Sequence, residues 1–139
     1  MVVLDTNVLS ELTRLIPSPK VLAWVDRLDE SEVYVSAISK AEVKFSLEIM
    51  PEGQRQLELQ RKYERLFTTL LFRRVLPFDD QCTGPFARFA ARAEKRGRGN
   101  STADLQIAAI ASRYNAAVAT RNVQDFDHEG LRVIDPWAE

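Results

Sequence analysis

The residues with chemical potential in this sequence are acids placed at the ends of short apolar runs. Asp5 directly follows Val2-Val3-Leu4, and Glu42 lies a few residues beyond Val33-Tyr34-Val35. Thr120, Asn122 and Asp125 come directly after Ala117-Val118-Ala119, and Asp104 follows the Gly97–Gly99 break and opens an apolar stretch. In open α/β sheets, ligands sit outside the carboxyl ends of the strands. If these ends are neighbours, Asp5, Glu42, Asp104 and Asp125 converge on one pocket. Two carboxylates ~4 Å apart repel by roughly 4 kcal/mol at an effective dielectric near 20. Such a cluster calls for a hard cation, and carboxylate oxygens suit Mg²⁺ or Mn²⁺.

Each acid also has a plainer reading. Ser39-x-x-Glu42 matches a capping box, and Ser101-x-x-Asp104 comes close to one. Asp5 can cap the first helix, and Asp125 can be a turn residue before Phe126. Capping and ligation are compatible, because an inward-facing carboxylate in a first helical turn can do both. Asp104 is the most telling, since a charge opening an otherwise apolar helix is costly unless paired or bound to metal. Nucleophilic alternatives fail for want of parts. His128, the single histidine, falls in a polar stretch and reads as a solvated loop residue, and Cys82, the single cysteine, reads as a small buried residue.

The elements that must position these acids alternate short apolar runs with longer helical stretches, the pattern of an α/β domain with a mostly parallel sheet. Strands are expected at Val2–Leu4, Val33–Val35, Val75–Leu76, Ala117–Ala119 and Leu131–Ile134. Helices are expected over Val8–Leu15 (stopped by Pro17 and Pro19), Lys20–Leu28, Ser39–Met50, Gly53 to about Phe72, Cys82–Arg96 and Thr102–Tyr114. The last is apolar almost all round and reads as a buried central helix. Leu59, Leu66, Phe67, Leu70 and Leu71 form an intermittent apolar stripe, one that could supply a partner surface.

With 139 residues, the chain fits a single domain, 1–139. One cysteine rules out an internal disulfide framework, and no apolar run approaches the ~20 residues of a membrane span. A soluble, cytoplasmic domain is expected. The net charge of -1 hides an uneven distribution. Residues 85–121 carry seven Arg and Lys against two acids, whereas residues 122–139 carry one against five. Arg88, Arg92, Lys95, Arg96 and Arg98 crowd the helix and loop before Asp104, where they can hold nucleic-acid phosphates or simply form a solvated helix face.

Taken together, the motifs resemble those of PIN-domain ribonucleases. Val3-Leu4-Asp5-Thr6-Asn7-Val8-Leu9-Ser10-Glu11 is similar to the family's opening, and Ser36-Ala37-Ile38-Ser39-Lys40-Ala41-Glu42-Val43 to its second motif. Ala103-Asp104-Leu105-Gln106-Ile107-Ala108-Ala109-Ile110-Ala111 is similar to the third. Ala119-Thr120-Arg121-Asn122-Val123-Gln124-Asp125-Phe126 and Asp135-Pro136-Trp137 complete the pattern, which spans essentially the whole chain. The likeness is strongest to VapC toxins of VapBC toxin–antitoxin modules, including the FitB-like branch.

That resemblance implies an α/β three-layer sandwich with a mostly parallel central sheet flanked by helices. It implies a Mg²⁺-dependent endoribonuclease, with Mn²⁺ able to substitute, acting as the toxin of a type II toxin–antitoxin system. Asp5, Glu42 and Asp104 match the three core metal-binding acids. The fourth position is filled either by Asn122 or by Asp125, and Asp125 is favoured. Asn7 and Thr120 match small polar supporting positions. Gly99-Asn100-Ser101 departs from the more apolar lead-in of relatives, which puts the loop geometry before Asp104 in question. The implied partners are an RNA substrate, a VapB-type antitoxin, a second copy in a homodimer, and operator DNA only through the antitoxin complex. Two alternatives stand beside this: a non-catalytic RNA-binding or assembly module on the same fold, and a Mg²⁺-dependent phosphotransferase. The latter wants a second Asp two residues after the first, where this chain has Asn7.

Overall fold

In the computed structural model, which describes residues 1–139, five strands form one sheet in the order β3-β2-β1-β4-β5, and every neighbouring pair is parallel. The strands are β1 (Val2–Leu4), β2 (Val33–Ser36), β3 (Val75–Leu76), β4 (Ala117–Ala119) and β5 (Val133–Ile134). Six helices connect them: α1 (Thr6–Leu12), α2 (Pro19–Asp26), α3 (Ala37–Ile49), α4 (Gln54–Thr68), α5 (Thr83–Lys95) and α6 (Thr102–Arg113). The expected mostly parallel sheet is wholly parallel.

Both faces of the sheet are covered, so β1 and β4 are wholly apolar. Along β1, Val2 and Leu4 face one core with Val8, Val21 and Trp24, while Val3 faces the other with Phe89, Ile107 and Ile110. Ala117 and Ala119 of β4 join the first core and Val118 the second. This is the period-2 alternation of a strand expressed as three layers, α1–α4 on one face and α5–α6 on the other. Val3, Val118 and Ile110 are completely buried, each worth about 1.5–3 kcal/mol in area removed from water.

The sheet also fixes where a ligand can sit. The chain runs outward from β1 through β2 to β3, then crosses by α5 and α6 to β4 on the other flank of β1. The strand order therefore reverses between β1 and β4, whose registered ends are Leu4 and Ala119. The crevice at such a reversal is the usual ligand site of an open parallel sheet.

Several boundaries shift for identifiable reasons. Asp5 caps α1, so this helix begins at Thr6 and ends at Leu12, three residues short of Leu15. Ser18 caps α2 through Val21 N–H and lets Pro19 take the first helical position, where its missing N–H costs nothing. α3 starts at Ala37 because Ser36, not Ser39, is the cap. α4 stops at Thr68, so Leu71 enters the core from a turn. β5 is only Val133–Ile134. The stripe expected to offer a surface instead packs inward: Leu59, Leu66, Phe67 and Leu70 lie against the first core with Tyr63 and Leu71 buried, and the exposed apolar residues of these helices are Phe45, Ile49 and Leu57.

Candidate active site

Asp5 is the best-fixed of the four acids. It is the first residue after β1 and the cap of α1, with Oδ1 accepting the Thr6 N–H at 2.8 Å. Oδ2 accepts the Thr120 hydroxyl at 2.8 Å and Asn7 Nδ2 at 3.2 Å. Thr120 is the first residue after β4, so the β1–β4 pairing brings these side chains together across 115 residues of sequence. Asn7 Nδ2 also donates to Thr120 Oγ1, and Asn7 Oδ1 accepts the Arg121 N–H. Every donor and acceptor of the Asn7 amide thus has a defined job, which leaves one orientation. Asn122 contributes through its backbone, its N–H donating to Thr120 Oγ1 at 3.0 Å, while its side chain is exposed.

Glu42 is held differently. Because Ser36 caps α3, Glu42 stands one turn beyond the cap position expected for it and is free of helix capping. Instead the Thr6 hydroxyl donates to Glu42 Oε1 at 2.7 Å and lies 3.0 Å from Ser39 Oγ. Thr6 and Ser39 are therefore site residues that the sequence reading passed over. Thr6 lies between Asp5 and Asn7 in the first motif, and only the proximity of α1 and α3 shows that it reaches Glu42.

Asp104 sits at the third position of α6, where its N–H donates to the hydroxyl of the cap residue Ser101. Asp125 lies in a 3-10 turn, Val123–Phe126, after β4, and the turn packs against α6. The electrostatics tie the four together. Burial pushes the Asp5 carboxyl from its ordinary 3.8 up to about 6; hydrogen bonds from Thr120 and Thr6 oppose this, and the charges of Asp104 and Glu42 add to it. Asp104 is also raised, by burial first, with Asp125 and Glu42 as like-charged neighbours and the Ser101 hydroxyl opposing. Asp125 thus lies within electrostatic reach of Asp104.

The arrangement leaves charge uncompensated. The ion pairs of the molecule are Met1 N-terminus–Glu32, Arg14–Glu11, Arg92–Glu129 and Arg98–Asp127, and none involves these four acids. Holding Asp5 ionised at neutral pH costs on the order of 3 kcal/mol relative to water, the equivalent of its raised pKa. No three of the carboxylates are close enough as they stand to close around one ion. The donor set is nonetheless all oxygen and without basic partners, with Asp5 buried, Asp104 and Asp125 half-buried and Glu42 exposed, which fits a hard divalent cation approaching from the open side.

The basic residues have a divided fate. Arg92 pairs with Glu129, and Arg98 reaches Asp127 at 3.1 Å and the Gln124 carbonyl at 3.1 Å. Two of the five cations therefore answer the acidic C-terminal segment, whereas Arg88, Lys95 and Arg96 are exposed and form no ion pair. His128 corrects the expectation of a solvated residue: it is 9% exposed, its ring stacked on Phe89 with centroids 4.6 Å apart. Phe89 faces that core because it lies on the inner side of α5, a long-range contact invisible in the polar residues around His128. Cys82 is buried as expected.

A family model described as PIN domain matches residues 2–128 of the chain. The protein called VapC ribonuclease Y4jK, from Sinorhizobium fredii, is 42% identical over 99% of this chain and 98% of its own length. The protein called Toxin FitB, from Neisseria gonorrhoeae, is 35% identical over 99% of each. Among solved structures, that of FitAB bound to an IR36 DNA fragment superposes with a TM-score of 0.89 and 35% identity, covering 99% of this chain and 96% of that one.

Proposed function

This chain belongs to the PIN-domain family, in its VapC and FitB toxin branch, and on that premise we propose that it hydrolyses RNA phosphodiester bonds with a divalent cation held by Asp5, Glu42, Asp104 and Asp125. The observation that carries this reading is the buried carboxylate Asp5, facing further acids with no basic partner anywhere in the group.

Mg²⁺ bound there, or Mn²⁺ in its place, supplies charge neutralisation at the scissile phosphate and a lowered pKa for the attacking water. The chain's own residues prepare the site. Thr120 and Asn7 donate to Asp5 Oδ2, pinning the carboxylate plane so that it does not rotate away from the crevice. Thr6 steers Glu42 in the same way from the opposite side. Asp104 and Asp125 bring the remaining negative charge from α6 and the turn after β4. The exposed Arg88, Lys95 and Arg96 lie on the element leading to Asp104 and can attract the RNA backbone.

The partner in this reading is an antitoxin of the VapB or FitA kind, with DNA contacted through the complex, as in the FitAB structure bound to DNA. A homodimer and a cytoplasmic location complete the proposal. No helix of the chain is long and apolar enough to cross a membrane.

The test is cleavage of RNA pools, transfer RNA included, by purified protein with Mg²⁺, with Mn²⁺ and with chelator. Cation-dependent cleavage by the native chain and none by Asp5→Asn is the expected result. Cleavage that persists in Asp5→Asn at the native rate sinks the assignment. RNA binding without cleavage under any cation points to the non-catalytic module.

A further inference from the structure

The loop between α5 and α6 reaches across to the turn that carries Asp125. Asn100 Nδ2 donates to the Asp125 carbonyl at 2.9 Å. Arg98 Nη1 donates to the Gln124 carbonyl at 3.1 Å, and Nη2 pairs with Asp127 Oδ2 at 3.1 Å. Two successive carbonyls of the 3-10 turn are thus bound by one short loop, and the same guanidinium holds the residue that follows the turn's end. The turn has little to hold it otherwise on this side: it is four residues long, and Asn122, which precedes it, makes no side-chain capping bond. Phe126, completely buried, anchors it from the core side.

The loop is itself well defined at both ends. Gly97 takes a left-handed φ of +68° to leave α5, and the Arg98 N–H returns to the Ala93 carbonyl at 2.9 Å. Immediately after Asn100, Ser101 caps α6 and places Asp104. One segment therefore positions the start of α6 and, through Arg98 and Asn100, the backbone of Asp125.

We propose that Arg98 and Asn100 are positioning residues for the fourth acid: they clamp the Val123–Phe126 turn so that Asp125 is set against Asp104. This rests on the reading of the four acids as a cation site. The Gly99-Asn100-Ser101 sequence, unlike an apolar lead-in, supplies the amide the clamp needs. Arg98 serves by geometry as well as by charge, since its planar fork holds two separate nitrogens on two separate acceptors, where a lysine offers one compact, freely rotating ammonium.

Mn²⁺ affinity of the full chain, measured by titration calorimetry, tests the proposal without depending on cleavage. Asn100→Ala is expected to bind Mn²⁺ about tenfold more weakly, the scale typical of groups that orient a ligand. Asp125→Asn should also weaken binding, and adding Asn100→Ala to it should change nothing further. Arg98→Met should weaken Mn²⁺ binding as well, and Arg98→Lys, which keeps the charge but not the fork, should recover it only in part; native affinity in Arg98→Met overturns the clamp if Asn100→Ala does not fold. Native affinity in Asn100→Ala, or equal losses with and without Asp125, overturns the clamp while leaving the cation site standing. A native chain that binds no Mn²⁺ overturns both.

Discussion

The two ends of α1 each bury an acid, and the molecule treats them in opposite ways. Asp5 at the N-terminal end is 5% exposed and Glu11 at the C-terminal end 4%. Glu11 accepts the Ser18 N–H at 2.9 Å and pairs with Arg14 at 3.4 Å. Burial pushes its carboxyl up, but the Ser18 N–H, Arg14 and Trp137 outweigh burial and hold it below its ordinary 4.5. Asp5 has donors too, yet Asp104 and Glu42 add like charge and burial wins. A buried acid with its own cation is a fastener, tying the Arg14–Ser18 loop and Trp137 to α1. A buried acid with only like-charged neighbours keeps its carboxyl raised instead.

The largest expected break in this contrast comes from Asp5→Asn. It should lose all cation-dependent RNA cleavage, and the rise in melting temperature that Mg²⁺ gives the native protein should vanish with it. Its metal-free melting temperature should equal or exceed the native value, because an amide carries no charge to desolvate. Thr120→Val keeps the volume but removes the hydroxyl that donates to Asp5 at 2.8 Å. A hydrogen bond to a charged group is worth about 1.5–3 kcal/mol, so Mg²⁺ affinity or kcat/KM should fall by roughly 10- to 100-fold with the fold intact. Glu11→Ala should do the reverse: a loss of about 1–3 kcal/mol in urea unfolding from the unpaired Ser18 N–H, with specific activity of the folded protein unchanged.

The pH dependence should separate the same two acids by sign. Because Asp5 titrates at about 6 in the fold and 3.8 unfolded, its contribution to metal-free stability is greatest below pH 3.8 and declines until pH 6. Glu11 contributes fully above its unfolded value of 4.5, and this is lost as pH falls through its lowered folded value. Unfolding of native protein, Asp5→Asn and Glu11→Ala between pH 4 and 7 resolves the two slopes, and a rise in native metal-free stability from pH 4 to 6 that Asp5→Asn leaves unchanged contradicts the account of Asp5. Mg²⁺ affinity should weaken below about pH 6, where a proton competes for Asp5. The smallest effect concerns the basic rim. Lys95→Ala with Arg96→Ala should flatten the salt dependence of RNA binding, each phosphate contact accounting for about 0.7–0.9 of the logarithmic slope. Arg92→Ala, whose cation already answers the exposed Glu129, should change stability by about 0–1 kcal/mol and the RNA salt slope little.

Much of the fold was legible because its signals are local. Val2–Leu4 and Ala117–Ala119 are apolar runs too short for helices, and the middle of α6 is apolar almost all round, so burial of these elements follows from composition. The helix ends were less legible, since caps compete: Ser36 and Ser39 are both capping residues, and the position of β2 decides that Ser36 serves. That choice also frees Glu42 from the capping role the motif suggested. His128 was misread because its neighbours in sequence are polar while its neighbour in space is Phe89.

Charge makes the same point at larger scale. The sequence by itself determined that the chain is an α/β domain, that acids fall after its strands, and that base accumulates before Asp104 while acid accumulates after Asn122. These are properties of residue type and spacing. Only the tertiary structure decided which charges meet: Arg92 and Arg98 pair with Glu129 and Asp127, while Asp104 and Glu42 come within electrostatic reach of Asp5, and Asp125 of Asp104. The reason is physical. Electrostatic pairing acts through distance and burial, and both are set when the parallel sheet brings the ends of β1 and β4 side by side.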